Sequence, residues 1–487
     1  MLAIQKKLSN SFYALLSLPS TAMGFALSVQ ISALSWILST KYNLEIHEIG
    51  LVWAAGPIAG IFGQIIFGII SDNVWFWNGR RRPFILIGGF IAALMLLALP
   101  NIGIISSSLD QRVLAVAIAV ALSLDLAINV SFNPTRSIIA DVTPEGEQRT
   151  KGYTWMQTIS GTFGVLAYVI AAVMGNIALI YIGAALVFVL SILPTFFIEE
   201  PRTLINDENA QKAAETTSVS FLEMLQTIQP LWGFFIYGLY AMTLKLAGIE
   251  KSHYYVEIFC FVLTIILLIK AIATSEKGKN PSEAGLIGFQ KVLAAHSFTW
   301  VGVQTMFVYM FTYVQSTMPE LSADQMGQVV SIAFLIFNAV AAILPAFVLE
   351  PITRNIGRVR THAICITIMA IGYAGVYLFG NSSAMIYGLM LVLGVGWAAT
   401  VSLPFAIMSQ KVEQSKMGLY MGLFNLSVVL PQLVASLGIG EAVSAAPNKN
   451  LIFLICTGTL GLSAVLWYFI KENETSEDVE ISTPTGH

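Results

Sequence analysis

Stretches of about 20 predominantly apolar residues, each long enough to cross the ~30 Å hydrocarbon core of a bilayer, recur from one end of this chain to the other. They lie near residues 12–39, 47–71, 84–106, 112–140, 152–175 and 177–197, then 230–249 and 254–273, then 293–315, 325–349, 361–380, 383–410, 417–439 and 450–470. One polar run, EEPRTLINDENAQKAAETTSVS over 199–220, reads as a soluble loop that divides the chain after six spans. The pattern predicts an all-α integral membrane protein. Its segments are an N-terminal six-helix half (1–198), a linker (199–229), a hydrophobic hairpin (230–274), a loop (275–292), a C-terminal six-helix half (293–470) and an acidic, disordered tail (471–487). Lys245 and Glu257 interrupt the hairpin spans, which makes them the weakest of the set. The first apolar run is too long for a signal-peptide core and is read as a retained span.

Charge fixes the expected orientation. With the N-terminus inside, 18 of the 25 Lys and Arg residues fall in cytoplasmic segments, while the external loops carry only Lys41, Arg112, Lys251 and Lys449. The positive-inside rule therefore places both termini in the cytoplasm of a cell membrane. Composition narrows the function. The chain is 56% hydrophobic and 11% charged, against about 25% charged in soluble domains. A net charge of −3 supplies no basic field for nucleic acid. Cys260, Cys365 and Cys456 have no CxxC spacing, so no metal or disulfide is expected. His47, His253, His296 and His362 fall near span ends and are expected to be wetted surface residues. No nucleophile–base or metal spacing points to an enzyme, and no cofactor is implied.

An internal repeat supports two related halves. SDNVWFWNGRRRP carries Asp72, Gly79, Arg80 and Arg82; LEPITRNIGRVR carries Glu350, Gly357, Arg358 and Arg360 at one common offset of 278 residues. Both copies sit in cytoplasmic loops. Asp72, Arg80, Arg81, Arg82 and Asp141 are expected to form a cytoplasmic charge cluster that latches helices in an outward-open state, with Glu350, Arg358 and Arg360 as the latch of the opposite half. Positive-inside anchoring is the simpler and compatible reading.

Asp125 carries the chemistry. A carboxylate within a membrane span costs about 3 kcal/mol on insertion scales, and Asp125 lies about 20 Å along the fourth span, near the midplane. An apolar setting favours its protonated form, so it can load and release a proton; permanent pairing with a neighbouring helix is the alternative. Asn129 and Arg136 follow on the same segment. Arg136, eleven residues on, returns to nearly the same face, where it either meets substrate or snorkels to the headgroups. Pro134 between them is a bend point. Aromatic and amide candidates for a polar substrate are Gln30, Gln64, Trp155, Gln157, Trp300, Gln304, Trp397, Asn425 and Gln432, with Gln64 and Trp155 foremost. The tenth span of the two halves, LVLGVGWAATVSLPFAIM, has no acid matching Asp125, so coupling is expected in the N-terminal half alone.

These residues resemble the major facilitator superfamily, whose signature the acid–glycine–arginine loop matches. GPIAGIFGQIIFGIISDNVWFWNGRRRPFI (56–85), with Asp125, Asn129, Pro134, Arg136 and Asp141, is similar to the sucrose-transporter branch of the glycoside–pentoside–hexuronide cation symporters. The C-terminal half resembles it only loosely, through the repeat loop and FTWVGVQTMFVYM from Phe298. Two departures stand out: Ile65 follows Gln64 where the family has proline, and the family fold has twelve helices, so the 230–274 hairpin is an insertion. The resemblance implies a proton-coupled importer of a glucoside such as sucrose or maltose, working by alternating access in the lipid bilayer; the fold is sufficient as a monomer. A sodium-coupled symporter, an uncoupled facilitator and a non-transporting sugar sensor remain the alternatives.

Overall fold

The structure is a computed structural model that describes residues 7–144, 147–201, 221–249, 251, 253–412 and 417–472; the expected tail beyond residue 472 lies outside them. The described residues are helical, with one isolated bridge, Phe76 to Gly79, in the first repeat loop. In the N-terminal half, α1 (Asn10–Thr40) is followed by α2 (Ile46–Trp53), which passes through Ala54 into α3 (Ala55–Asn73). Then come α4 (Arg82–Ala98), α5 (Ile102–Leu109), α6 (Val113–Val142), α7 (Glu147–Met174) and α8 (Asn176–Phe196). A short α9 (Phe221–Thr227) precedes α10 (Trp232–Ala247) and α11 (Tyr255–Ala273). The C-terminal half holds α12 (Pro281–Thr317), α13 (Ala323–Leu344), α14 (Glu350–Ile356), α15 (Arg358–Phe379), α16 (Ser383–Ser409), α17 (Met417–Val434), α18 (Gly440–Ala445) and α19 (Leu451–Trp467). Ten of the helices are long and apolar enough to cross a membrane by length and composition. Residues 281–292, expected as loop, are the first turns of α12.

Burial sorts the helices. α1 and α12 are buried nearly all round and run through the middle, as helices without a lipid face must. Elsewhere large apolar side chains such as Phe90, Phe188, Phe261, Ile266 and Ile371 stand exposed on the outside, a surface suited to hydrocarbon and not to water. The chain is a multi-pass membrane protein. Within the first half α1 packs on α7 and α8, and α4 on α6 and α8; within the second, α12 packs on α19, α15 on α16 and α19, and α13 on α16. The halves meet through α3 with α17, α7 with α13, and α2 with α18. Five-residue π segments, Pro345–Leu349 and Ala435–Ile439, join α13 to α14 and α17 to α18. Each falls at or just beyond a proline (Pro345 and Pro431), whose missing N–H breaks the regular ladder.

Hydrogen bonds between the halves gather at the end of the bundle that holds Trp36. The Trp36 indole donates to the Ala323 carbonyl at 2.9 Å and the Ser35 hydroxyl to the Val308 carbonyl at 2.8 Å. Ser32 and Ser331 contact one another at 3.1 Å and both reach the Asn176 amide oxygen. Packing there is close: a methyl group on Gly50 would collide with the Ser436 carbonyl oxygen. The hairpin α10–α11 is fastened at the same end. Lys251, between its two helices, reaches Glu441 of α18 at 2.8 Å and Glu257 of α11 at 3.0 Å, and Lys245 reaches Glu441 at 3.2 Å.

Candidate functional site

A cavity of about 330 Å³ lies between the halves, walled by α1, α2, α3 and α6 on one side and α12, α16 and α17 on the other. That is at the lower end of the range for small-molecule sites, about 300–1,000 Å³. Asp125 lies in its wall, 3% exposed, and its Oδ2 accepts from the Gln30 amide nitrogen at 3.0 Å. Asn129, one turn on, donates to the Asp125 backbone carbonyl at 2.8 Å. The close seat of α6 against α3 depends on a missing side chain at Gly63, where a Cβ would meet the Asn129 Cβ at 2.9 Å; at Gly56 a Cβ would stand at an ordinary 3.5 Å from the Asp125 carboxylate. Small residues let the helix carrying the acid approach its neighbour.

Among the sequence candidates, Gln30, Asp125, Asn129, Trp300, Gln304, Trp397, Asn425 and Gln432 all line this one cavity. Its polar groups are therefore one carboxylate and several amides, and its apolar surface includes Phe132, Phe307 and three indoles, Trp53, Trp300 and Trp397. The last two stand at 82° with centroids 5.9 Å apart. Their N–H groups are taken by protein acceptors: Trp300 donates to His296 Nε2 at 2.9 Å and Trp397 to the Asn338 Oδ1 at 3.2 Å. Phe337 stacks on Trp397 at 5.5 Å and 16°. A rigid platform for the apolar face of a ring-shaped polar ligand results.

Arg136, Trp155 and Gln157 are not among the lining residues. Arg136 is exposed and its guanidinium sits 4.5 Å from the ring centroid of Phe132, which does line the cavity. Positions 125, 129, 132 and 136 make one stripe of α6, so Arg136 stands on the cavity face, three turns beyond Asp125 toward the arginine loops. Trp155 is half-buried and Gln157 exposed on α7. The side chain of Gln64 lies outside the described residues, as does that of Asp72.

At the end opposite Trp36, Arg81 is 6% exposed, with Nε 3.1 Å from Asp141 and Nη1 2.8 Å from the Ser71 hydroxyl. These contacts lie within the N-terminal half. Glu350 reaches Arg354 of its own helix at 2.6 Å, and Arg358 and Arg360 are exposed. Sequence reasoning missed two acids here. The Glu200 carboxylate, just after α8, accepts the backbone N–H groups of Arg80 and Arg81 at 2.8 Å and of Arg82 at 2.7 Å, capping α4. Glu472, after α19, accepts those of Arg358 at 3.0 Å and Val359 at 2.8 Å, capping α15. Carboxylates suit the positive end of a helix. The repeat glycines make room for them: a Cβ on Gly79 would fall 2.7 Å from Glu200, and one on Gly357 2.6 Å from Glu472. Gly357 also has φ +87°, which favours glycine on its own account.

The histidine expectation is corrected for two of the four. His296 is 2% and His362 0% exposed. α12 begins at Pro281, so His296 lies about four turns inside it, and Trp467 of α19 covers His362 at 4.2 Å.

Comparison with known proteins agrees with this architecture. The chain is 22% identical to the "Sucrose transport protein SUC4" of Arabidopsis thaliana, over 88% of this chain and 83% of that protein. Over a shorter stretch, 32% of this chain and 31% of the relative, it is 30% identical to the "General alpha-glucoside permease" of Schizosaccharomyces pombe. Among solved structures, the nucleoside transporter NupG aligns with TM-score 0.59 at 14% identity, covering 94% of this chain and 98% of that one. The POT family transporter PepTSo aligns with TM-score 0.64 at 12% identity, covering 98% and 99%. The model of the Major Facilitator Superfamily matches residues 16–250 and 252–436, so this chain belongs to that superfamily and is a membrane transporter.

Proposed function

We propose that the protein is a proton-coupled symporter that imports a glucoside, a disaccharide such as sucrose or maltose, by alternating access between its halves. The observation that carries this reading is the buried Asp125 carboxylate in the wall of a central cavity otherwise lined by amides and indoles. Asp125 is the proton carrier. Gln30, Asn129, Gln304, Asn425 and Gln432 meet sugar hydroxyls, and Trp300 and Trp397 take the apolar ring face. The similarity to sucrose and α-glucoside transporters supports the substrate class. Among the described residues, Asp125 is the one carboxylate in the lining, which favours a proton over sodium, whose hard-cation sites gather several oxygen ligands.

The halves are residues 1–198 and 281–470, joined through the 199–229 linker, the 230–274 hairpin and the 275–280 loop. Both termini and the tail are cytoplasmic, the Trp36 end is external, and the protein works as a monomer in the cell membrane. The structure then corresponds to the state closed on the outside. Arg81 and Asp141, with Asp72, Gly79, Arg80 and Arg82, form the cytoplasmic gate of the first half; Glu350, Gly357, Arg358 and Arg360 occupy the corresponding loop of the second.

The test is sugar-driven proton uptake into proteoliposomes, comparing wild type with Asp125→Asn. The expected outcome is acidification with sucrose or maltose in wild type, and sugar exchange without proton movement in the variant. Normal coupling in Asp125→Asn defeats the reading. Sodium replacement and a proton uncoupler in the same assay separate the sodium-coupled and uncoupled alternatives.

A further inference from the structure

The geometry points to His296 as a positioning residue that sets sugar affinity by fixing the Trp300 platform, without touching the sugar itself. The inference rests on the sugar-transport reading above. His296 precedes Trp300 by one turn of α12, and its Nε2 accepts the indole N–H at 2.9 Å. Only an imidazole with a free lone pair at Nε2 can do so, which makes the ring neutral with its hydrogen on Nδ1. The imidazole is in turn held flat against Phe424 of α17, at 4.8 Å and 16°, with Trp467 of α19 edge-on at 6.5 Å. His296 does not line the cavity, whereas Trp300 does.

An indole can offer a ligand either its N–H or its ring. With its N–H already committed to His296, and with that acceptor wedged between two further helices, Trp300 presents ring alone. Trp397 has the same arrangement through Asn338. The pair therefore selects for sugars with an apolar C–H face and leaves hydroxyl recognition to the amides. Losing the His296 acceptor frees Trp300 to turn its N–H toward the cavity, which lowers affinity while leaving the Asp125 proton step alone.

The experiment uses full-length protein in proteoliposomes with sucrose and maltose as probes. His296→Leu is expected to raise the half-saturation concentration about tenfold, the effect of one lost hydrogen bond. Maximal rate and proton stoichiometry should change little, and His296→Gln, whose amide oxygen can still accept, should recover most of the affinity. In a Trp300→Phe background the indole donor is gone, so His296→Leu should add nothing further. Equal behaviour of Leu and Gln, or an undiminished effect of His296→Leu in the Trp300→Phe background, overturns the inference. A wild type that moves no sugar overturns the transport reading and this inference together.

Discussion

The Gln30 amide nitrogen donates to the Asp125 carboxylate across 3.0 Å, joining α1 to α6 at the wall of the central cavity. The bond has a direction: an amide N–H stabilises the ionised acid and does nothing for a protonated Oδ2 that carries its own hydrogen. Gln30→Leu is therefore expected to leave the ionised acid without its donor and to slow sugar-driven proton uptake in proteoliposomes, while sugar exchange continues. Unchanged proton uptake would mean that Gln30 serves the sugar alone.

Gly63 marks the closest approach of α3 to α6. Because a methyl group there would meet the Asn129 Cβ at 2.9 Å, Gly63→Ala should cost about 1–3 kcal/mol through overpacking. Thermal unfolding of purified protein in detergent is the measurement, and an unchanged midpoint would show that the interface yields freely.

Gly50 tests the closure between the halves. A valine there cannot pass the Ser436 carbonyl, so Gly50→Val should hold the Trp36 end apart. A cysteine introduced at Ser32, which is buried between the halves, would then react faster with a membrane-impermeant maleimide added from outside. The native Cys260, Cys365 and Cys456 are all buried and give a low background. No gain in labelling would place the opening elsewhere.

The hairpin's fastening has its own pH signature. Burial disfavours the Lys251 ammonium, but the hydrogen bond it donates to Glu441, then Tyr237 and Glu257, outweigh it, and its pKa lies above the ordinary lysine value. A lysine whose pKa is raised by folding contributes stability fully below its unfolded value of ~10.4, and that contribution disappears as pH climbs through the folded value. The gap in melting temperature between wild type and Lys251→Met, about 1–2 °C for a partly exposed pair, should thus be constant through neutral pH, close in strong alkali as Lys251 loses its proton, and close in acid as Glu441 gains one. A gap that closes near neutrality would argue against the ion pairs.

Much of the site was legible because membrane spans carry few polar residues, and those few are informative. Asp125, Asn129, Gln30 and the two tryptophans stood out against apolar runs, and the structure brings them to one cavity. What could not be read was lateral position. Trp155 and Gln157 look as suitable in sequence as Trp300 and Gln304, but neither lines that cavity. His296 misled because the end of an apolar run is not the end of a helix: α12 extends twelve residues below the run that contains it. His362 does stand in the first turns of α15, and Trp467 of α19 buries it. Glu200 and Glu472 were invisible for another reason. They are 272 residues apart where the repeat they serve is 278, so no single offset aligns both.

Those two acids have a consequence for the polypeptide as a connected object. Each bends the exit of its own half back onto that half's third spanning helix, so the first and second bundles close without help from one another. Covalent continuity between them then matters for stoichiometry more than for architecture. A gene cut between the codons for Pro201 and Phe221, with both pieces translated in one cell, is expected to yield two fragments that insert separately and reassemble into a working whole.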